Sequence, residues 1–193
     1  MIIHGKPELA VFGGSFDPPH IGHVFLATYA LSVAGVERVI AAPTFEHAFG
    51  KPLRAFEHRL AMCELAFAPL PGVEVSSIER ELGGTSRTLR LVSELAARHP
   101  GHQLRLLVGT DILGESQRWQ RFDEVVAIAP LLVARRAGHA SVPAPHEHAP
   151  LLPEVSSSAI RAALERGEDV SLWLPSGVRR YLTEHALYRP SAS

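Results

Sequence analysis

A single cysteine, Cys63, excludes an intrachain disulfide and suits a reducing compartment. No apolar run reaches membrane-spanning length, and the stretch Met1 to Pro7 lacks the apolar core of a secretory signal. A cytoplasmic location with no membrane partner is expected. Neither charge dominates: 19 Lys and Arg against 20 Asp and Glu leave a formal net charge of -1. A broad basic face for DNA or RNA is thus excluded, and a polyanionic ligand has to be met by a local site. Repeats are lacking too, so the fold is not a solenoid.

What is there suits a globular enzyme. Hydrophobic content of 46% over 193 residues supplies one well-buried core, and residues 1–193 are expected to form one domain. Short apolar runs alternate with amphipathic segments. Strands are expected at Glu8–Phe12, Arg38–Ala42, Val73–Ile78, Gln103–Val108 and Pro130–Ala134. Helices are expected at about Gly22–Ala34, Phe56–Phe67, Thr88–Arg98, Trp119–Val126, Ser157–Arg166 and Ser176–His185, so that a C-terminal helical portion covers about 156–193. Strand and helix in alternation predict an α/β fold: a Rossmann-like, doubly wound parallel sheet with helices on both faces. The Ala-, Pro- and His-rich stretch 137–150 reads as a surface loop, and its His139, His146 and His148 do not make a metal-site pattern. Cys63, inside a helical pattern, reads as a buried structural thiol.

In such sheets ligands sit beyond the carboxyl ends of the strands. Two unusual segments fall at such ends: Gly13 to His23, and Gly109 to Asp111. Gly13 and Gly14 let the backbone approach a ligand and turn its N–H groups toward phosphate. Pro18 and Pro19 stiffen the turn into a helix. His20 and His23, three apart at the start of that helix, share one face beside the positive end of its dipole, and Gly22 between them keeps the surface open. Further on, Ser156, Ser157 and Ser158 cap a second helix, and Arg161 adds a fixed cationic fork.

The stretch Gly13-Gly14-Ser15-Phe16-Asp17-Pro18-Pro19-His20-Ile21-Gly22-His23 resembles the His-x-Gly-His signature of a nucleotidyltransferase superfamily. Its wording is similar to the nicotinate or nicotinamide mononucleotide adenylyltransferases. Gly109-Thr110-Asp111 with Trp119, Val155 to Arg161, and Leu174 through Tyr188 resemble further motifs of that family, in the same order. The resemblance implies an enzyme that joins ATP to a pyridine mononucleotide and releases pyrophosphate, with Mg²⁺ carried on the ATP phosphates and no metal ligands from the protein. It implies His20, His23 and Arg161 as catalytic residues. It implies ATP contacts from Gly13, Gly14, Ser15, Phe16, Gly22, Gly109, Asp111, Arg135, Ser156, Ser157, Ser158 and Ile160. The mononucleotide would meet Lys51, Thr85 and Trp119. Arg59 falls where the family places a basic residue near phosphate, although an ion-paired role suits it equally.

Two segments depart from the family wording. Pro43 to Lys51 stands where many members read Pro-His-Lys, and Gly83-Gly84-Thr85 stands where many read Ser-Tyr-Thr. Both border the pyridine pocket, so nicotinate versus nicotinamide is left open, as is homo-oligomerisation. The rival readings are another enzyme of the superfamily, such as a pantetheine-phosphate adenylyltransferase or a cytidylyltransferase, and a catalytically silent nucleotide-binding module. Aminoacyl-tRNA synthetases share His-Ile-Gly-His, but this chain is short and lacks a Lys-Met-Ser-Lys-Ser-like loop.

Overall fold

The computed structural model describes residues 6–110, 121–136 and 151–188. Six strands form one sheet: β1 (Glu8–Gly14), β2 (Arg38–Pro43), β3 (Val73–Val75), β4 (Gln103–Gly109), β5 (Leu131–Arg136) and β6 (Leu151–Leu152). Their order is β3-β2-β1-β4-β5-β6, and every pair is parallel. The helices are α1 (Ile21–Ser32), α2 (Phe56–Phe67), α3 (Ile78–Leu82), α4 (Thr88–Arg98), α5 (Phe122–Ile128), α6 (Ser157–Glu165) and α7 (Ser176–Glu184). The doubly wound reading is met. Strand order reverses between β1 and β4, which opens a crevice at their carboxyl ends.

Alternation along β1 divides the core. Leu9 and Val11 face one layer with Leu91, Val92 and Leu95 of α4, while Ala10 and Phe12 face the other with Leu26, Ala27 and Ala30 of α1. A third cluster joins the C-terminal helices to α2 through Met62, Ala66, Ile160, Val178 and Leu182. Truncating a side chain as buried as Leu182 to Ala costs about 2–5 kcal/mol. Cys63 is fully buried in the α1 layer, and burial pushes its thiol well up, which keeps it unreactive.

Three expectations change. Val73–Ile78 pairs only as far as Val75; Ser76 N–H closes on the Ala41 carbonyl and the chain turns into α3. The helix expected from Trp119 runs over Phe122–Ile128 within the described residues, and β6 is an additional strand. Arg135 and Arg136 pair with Leu151 and Leu152 to make it. Residues 137–150, with their three histidines, lie outside the described residues. No helix among the described residues is long and apolar enough to cross a membrane.

Candidate active site

At the end of β1 the chain turns over Ser15 to His20 into α1. Phe16 lies at φ 46 and tucks its ring beneath the turn, edge-on to Phe12 at 5.2 Å and to Phe67 at 6.1 Å. A β-carbon on Gly14 would stand 3.3 Å from that ring, so the glycine admits the close approach. His20 is the N-cap of α1, and its main-chain N–H donates to Nδ1 of His23 at 3.0 Å. The two imidazoles stack with centroids 3.7 Å apart. An Nδ1 that accepts a hydrogen bond places the proton of the neutral ring on Nε2, so His23 presents an N–H donor on its far side. A β-carbon on Gly22 would stand 3.1 Å from both the His20 ring and Val155, so this position is what lets the imidazole sit.

A second helix start faces the first. Ser156 caps α6 by accepting from Ala159 N–H at 3.1 Å. Ser157 Oγ donates to the Pro18 carbonyl at 2.9 Å, and Arg161 Nη1 donates to the Asp17 carbonyl at 2.6 Å. Arg161 Nη2 reaches Ser158 Oγ at 3.2 Å. The first turns of α1 and α6 both lack acidic residues, so two helix N-termini bring partial positive charge together.

A cavity of about 910 Å³ lies between them, lined by His20 and His23 on one side and by Ser156, Ser157, Ser158 and Arg161 on the other. Its lining also includes Gly13, Gly14, Ser15, Phe16, Gly22, Gly109 and Lys51, each a residue picked out from the sequence. Ile160 is not part of it; the side chain is fully buried in the C-terminal core. Thr85 and Arg135 are not among the described lining residues either. Thr85 forms a bridge with Glu46 and is exposed. Successive side chains in an extended stretch point opposite ways, and its neighbour Ser86 faces the cavity instead. Asp111 and Trp119 lie outside the described residues.

Arg59 is not among the residues lining the cavity. It is 1% exposed, and its guanidinium donates to the carbonyls of Arg54 at 2.9 Å, Ser15 at 3.0 Å and Phe45 at 3.3 Å. Burial lowers its pKa and Asp17 offsets part of that shift. It clamps the two loops that frame the cavity from behind. One helical face could not disclose this, because all three acceptors are main-chain groups from other segments or turns.

The far wall was largely missed. Glu79, Ser86, Arg87 and Arg90 line it with Thr44 and His47. Glu79 is 6% exposed; burial raises its pKa, while the Ser86 hydroxyl and Arg90 pull it down in part. Arg90 is tied to the carbonyls of Gly83 and Leu82 at the end of α3. A Ser-Arg-Thr run opening a helix is the only local signal for this wall. Among the described residues, no three His, Cys, Asp or Glu side chains are grouped to hold a metal ion.

A parallel sheet reversing at β1 and β4, with stacked imidazoles and a serine-capped, arginine-bearing helix lining one crevice, defines a Rossmann-like α/β protein with its cavity at the switch point. The model of the family described as "Cytidylyltransferase-like" matches residues 11–163. A curated relative from Anaeromyxobacter sp. (strain K), named "Probable nicotinate-nucleotide adenylyltransferase", is 48% identical over 188 residues, covering 96% of this chain and 98% of its own. Another of that name, from Myxococcus xanthus (strain DK1622), is 40% identical and covers 94% of each chain. The solved Plasmodium falciparum nicotinic acid mononucleotide adenylyltransferase complexed with NaAD superposes with a TM-score of 0.81 at 17% identity, covering 94% of this chain and 97% of that one, a likeness of fold. The chain belongs to the cytidylyltransferase-like family, among its nicotinate-nucleotide adenylyltransferases.

Proposed function

We propose that this chain, as one nucleotidyltransferase domain in the cytoplasm, joins ATP to nicotinate mononucleotide and releases pyrophosphate in NAD synthesis. One observation carries the reading: the imidazole pair and the Ser156–Arg161 arm line the same cavity. A 5′-phosphate oxygen of the mononucleotide attacks the α-phosphorus of ATP in line. The bond from that phosphorus to the bridging oxygen breaks, and pyrophosphate leaves with the electron pair. The substrate brings its own nucleophile, so the protein's task is positioning and charge stabilisation.

His20 and His23 hold the α- and β-phosphates, with the Nε2–H of His23 donating to the oxygens as charge builds. Arg161 and the serine cap hold the β- and γ-phosphates. Mg²⁺ rides on the triphosphate and neutralises part of its charge. That fits a lining whose described acid, Glu79, is buried, hydrogen-bonded and shifted toward its neutral form. Arg87 and Lys51 put positive charge on the lining of the same cavity, which suits the carboxylate of nicotinate better than the neutral amide. The names of the relatives support the same choice.

The test supplies ATP and Mg²⁺ with nicotinate or nicotinamide mononucleotide separately and follows pyrophosphate. Release with nicotinate mononucleotide, at kcat/KM about tenfold or more above the amide, is expected. No release with either removes the proposal, and release only with phosphopantetheine moves it to the pantetheine enzyme.

A further inference from the structure

The turn that carries the imidazoles is held from outside the cavity by a side chain 171 positions away. The hydroxyl of Tyr188 donates to Oδ1 of Asp17, and both residues are almost wholly buried, at 3% and 2% exposed. Arg54 N–H donates to Oδ2 of the same carboxylate at 3.4 Å, and the Arg54 guanidinium lies over the Tyr188 ring at 4.9 Å. The main-chain carbonyl of Asp17 accepts from Arg161. Asp17 therefore joins four segments: the turn before His20, the stretch before α2, the first half of α6, and the segment after α7. Neither Asp17 nor Tyr188 is among the residues lining the cavity.

Backbone conformation at both ends of the contact is unusual for side-chain-bearing residues. Phe16, beside Asp17, lies at φ 46, and Ala186 and Tyr188 lie at φ 54 and 57. Tyrosine adopts this region seldom, so the surrounding structure holds it there. Core packing alone asks only for the ring. A phenylalanine would fill the same volume without placing a hydroxyl against a buried carboxylate.

We infer that Tyr188 is a positioning residue for nucleotidyl transfer: through the Asp17 carboxylate its hydroxyl fixes the His20–His23 turn in register with Arg161. The inference rests on the proposed function, since register matters only if both arms grip one polyphosphate. A hydrogen bond that sets register acts on the transition state more than on the bound substrate, so its loss falls on kcat. Ring packing in the third cluster is preserved in Tyr188→Phe.

The experiment compares wild type, Tyr188→Phe, Asp17→Asn and the double variant, with Tyr181→Phe as control. The Tyr181 hydroxyl bonds His58 Nδ1 at 3.0 Å, away from the cavity. Pyrophosphate release gives kcat and KM, thermal unfolding reports the fold, and ¹H–¹⁵N spectra report the His23 ring. Tyr188→Phe is expected to lower kcat about tenfold, the size of one hydrogen bond to a charged group expressed as a rate. KM for ATP should stay within about twofold and the His23 ring signals should move, because the loss falls on the transition state. The double variant should be no slower than the slower single, and Tyr181→Phe should match wild type, because the first two residues act as one unit. Wild-type kcat in Tyr188→Phe, with or without a fall in melting temperature, overturns the inference, as do multiplying losses in the double variant. The ring signals are read without turnover. An inactive wild type therefore counts against the proposed function, and an unmoved His23 ring in Tyr188→Phe counts against this inference.

Discussion

Nδ1 of His23 accepts the main-chain N–H of His20 at 3.0 Å, so one imidazole of the stacked pair is locked in orientation by the residue that begins its helix. The bond fixes which nitrogen faces the cavity and which proton it carries. His23→Ala removes a donor to developing charge, and kcat should fall by roughly a hundredfold or more. Circular dichroism and thermal unfolding should remain close to wild type, since the ring is only half-buried. Turnover within about threefold of wild type would take His23 out of the mechanism.

Gly22 makes a sharper geometric test. Its missing side chain leaves the space that the His20 ring and Val155 would share with a methyl group at 3.1 Å. Gly22→Ala is an otherwise favourable change within a helix, yet it should push the His20 ring aside and lower kcat about ten- to a hundredfold. Steady-state kinetics beside a melting curve separate the two effects. An unchanged kcat in a folded variant contradicts this account of the glycine.

Arg59 should behave as a structural residue. Its three main-chain acceptors belong to separate stretches, and a lysine ammonium cannot reach all of them. Arg59→Lys should lose about 3 kcal/mol of unfolding free energy, because buried carbonyls are left without donors. Urea unfolding measures this. Wild-type stability with KM for ATP raised would return Arg59 to the phosphate side.

Glu79 gives a pH dependence with a definite sign. Burial raises its folded pKa above the usual glutamate range, so the folded chain holds this proton more tightly than the unfolded one. The stability it contributes is fully present below the unfolded pKa and is lost as pH rises through the folded pKa. Glu79→Gln should therefore be more stable than wild type near neutral pH, and the gap should close on acidification through the glutamate range. Urea titrations across that range check it. A wild type more stable than the variant at neutral pH reverses the sign and contradicts the burial argument.

Much of this was legible from local pattern. Phe56–Phe67 and Thr88–Arg98 form helices at the boundaries read from the sequence, because the residues that stop them, Pro69 and Pro100, are near neighbours in the chain. The Gly13–His23 turn was legible for the same reason: its glycines, prolines and histidines act within eleven positions. What escaped is set by distant partners. β6 is two residues long and exists through pairing with Arg135 and Arg136. Ser86 rather than Thr85 lines the cavity because side chains alternate along the extended stretch that bridges to Glu46, and Thr85 is on its exposed side. For Arg59 the sequence left a phosphate role and an ion-paired role level, because charge is visible in a sequence and three carbonyl acceptors are not.

The most direct measurement is a crystal structure of the chain with Mg²⁺ and a non-hydrolysable ATP analogue. The phosphate chain should lie between the stacked imidazoles and α6, with Nε2 of His23 within hydrogen-bond reach of the α- or β-phosphate and Arg161 on the β- or γ-phosphate. A triphosphate bound outside the crevice, or touching only one of the two arms, would contradict the shared grip on which the proposed reaction depends.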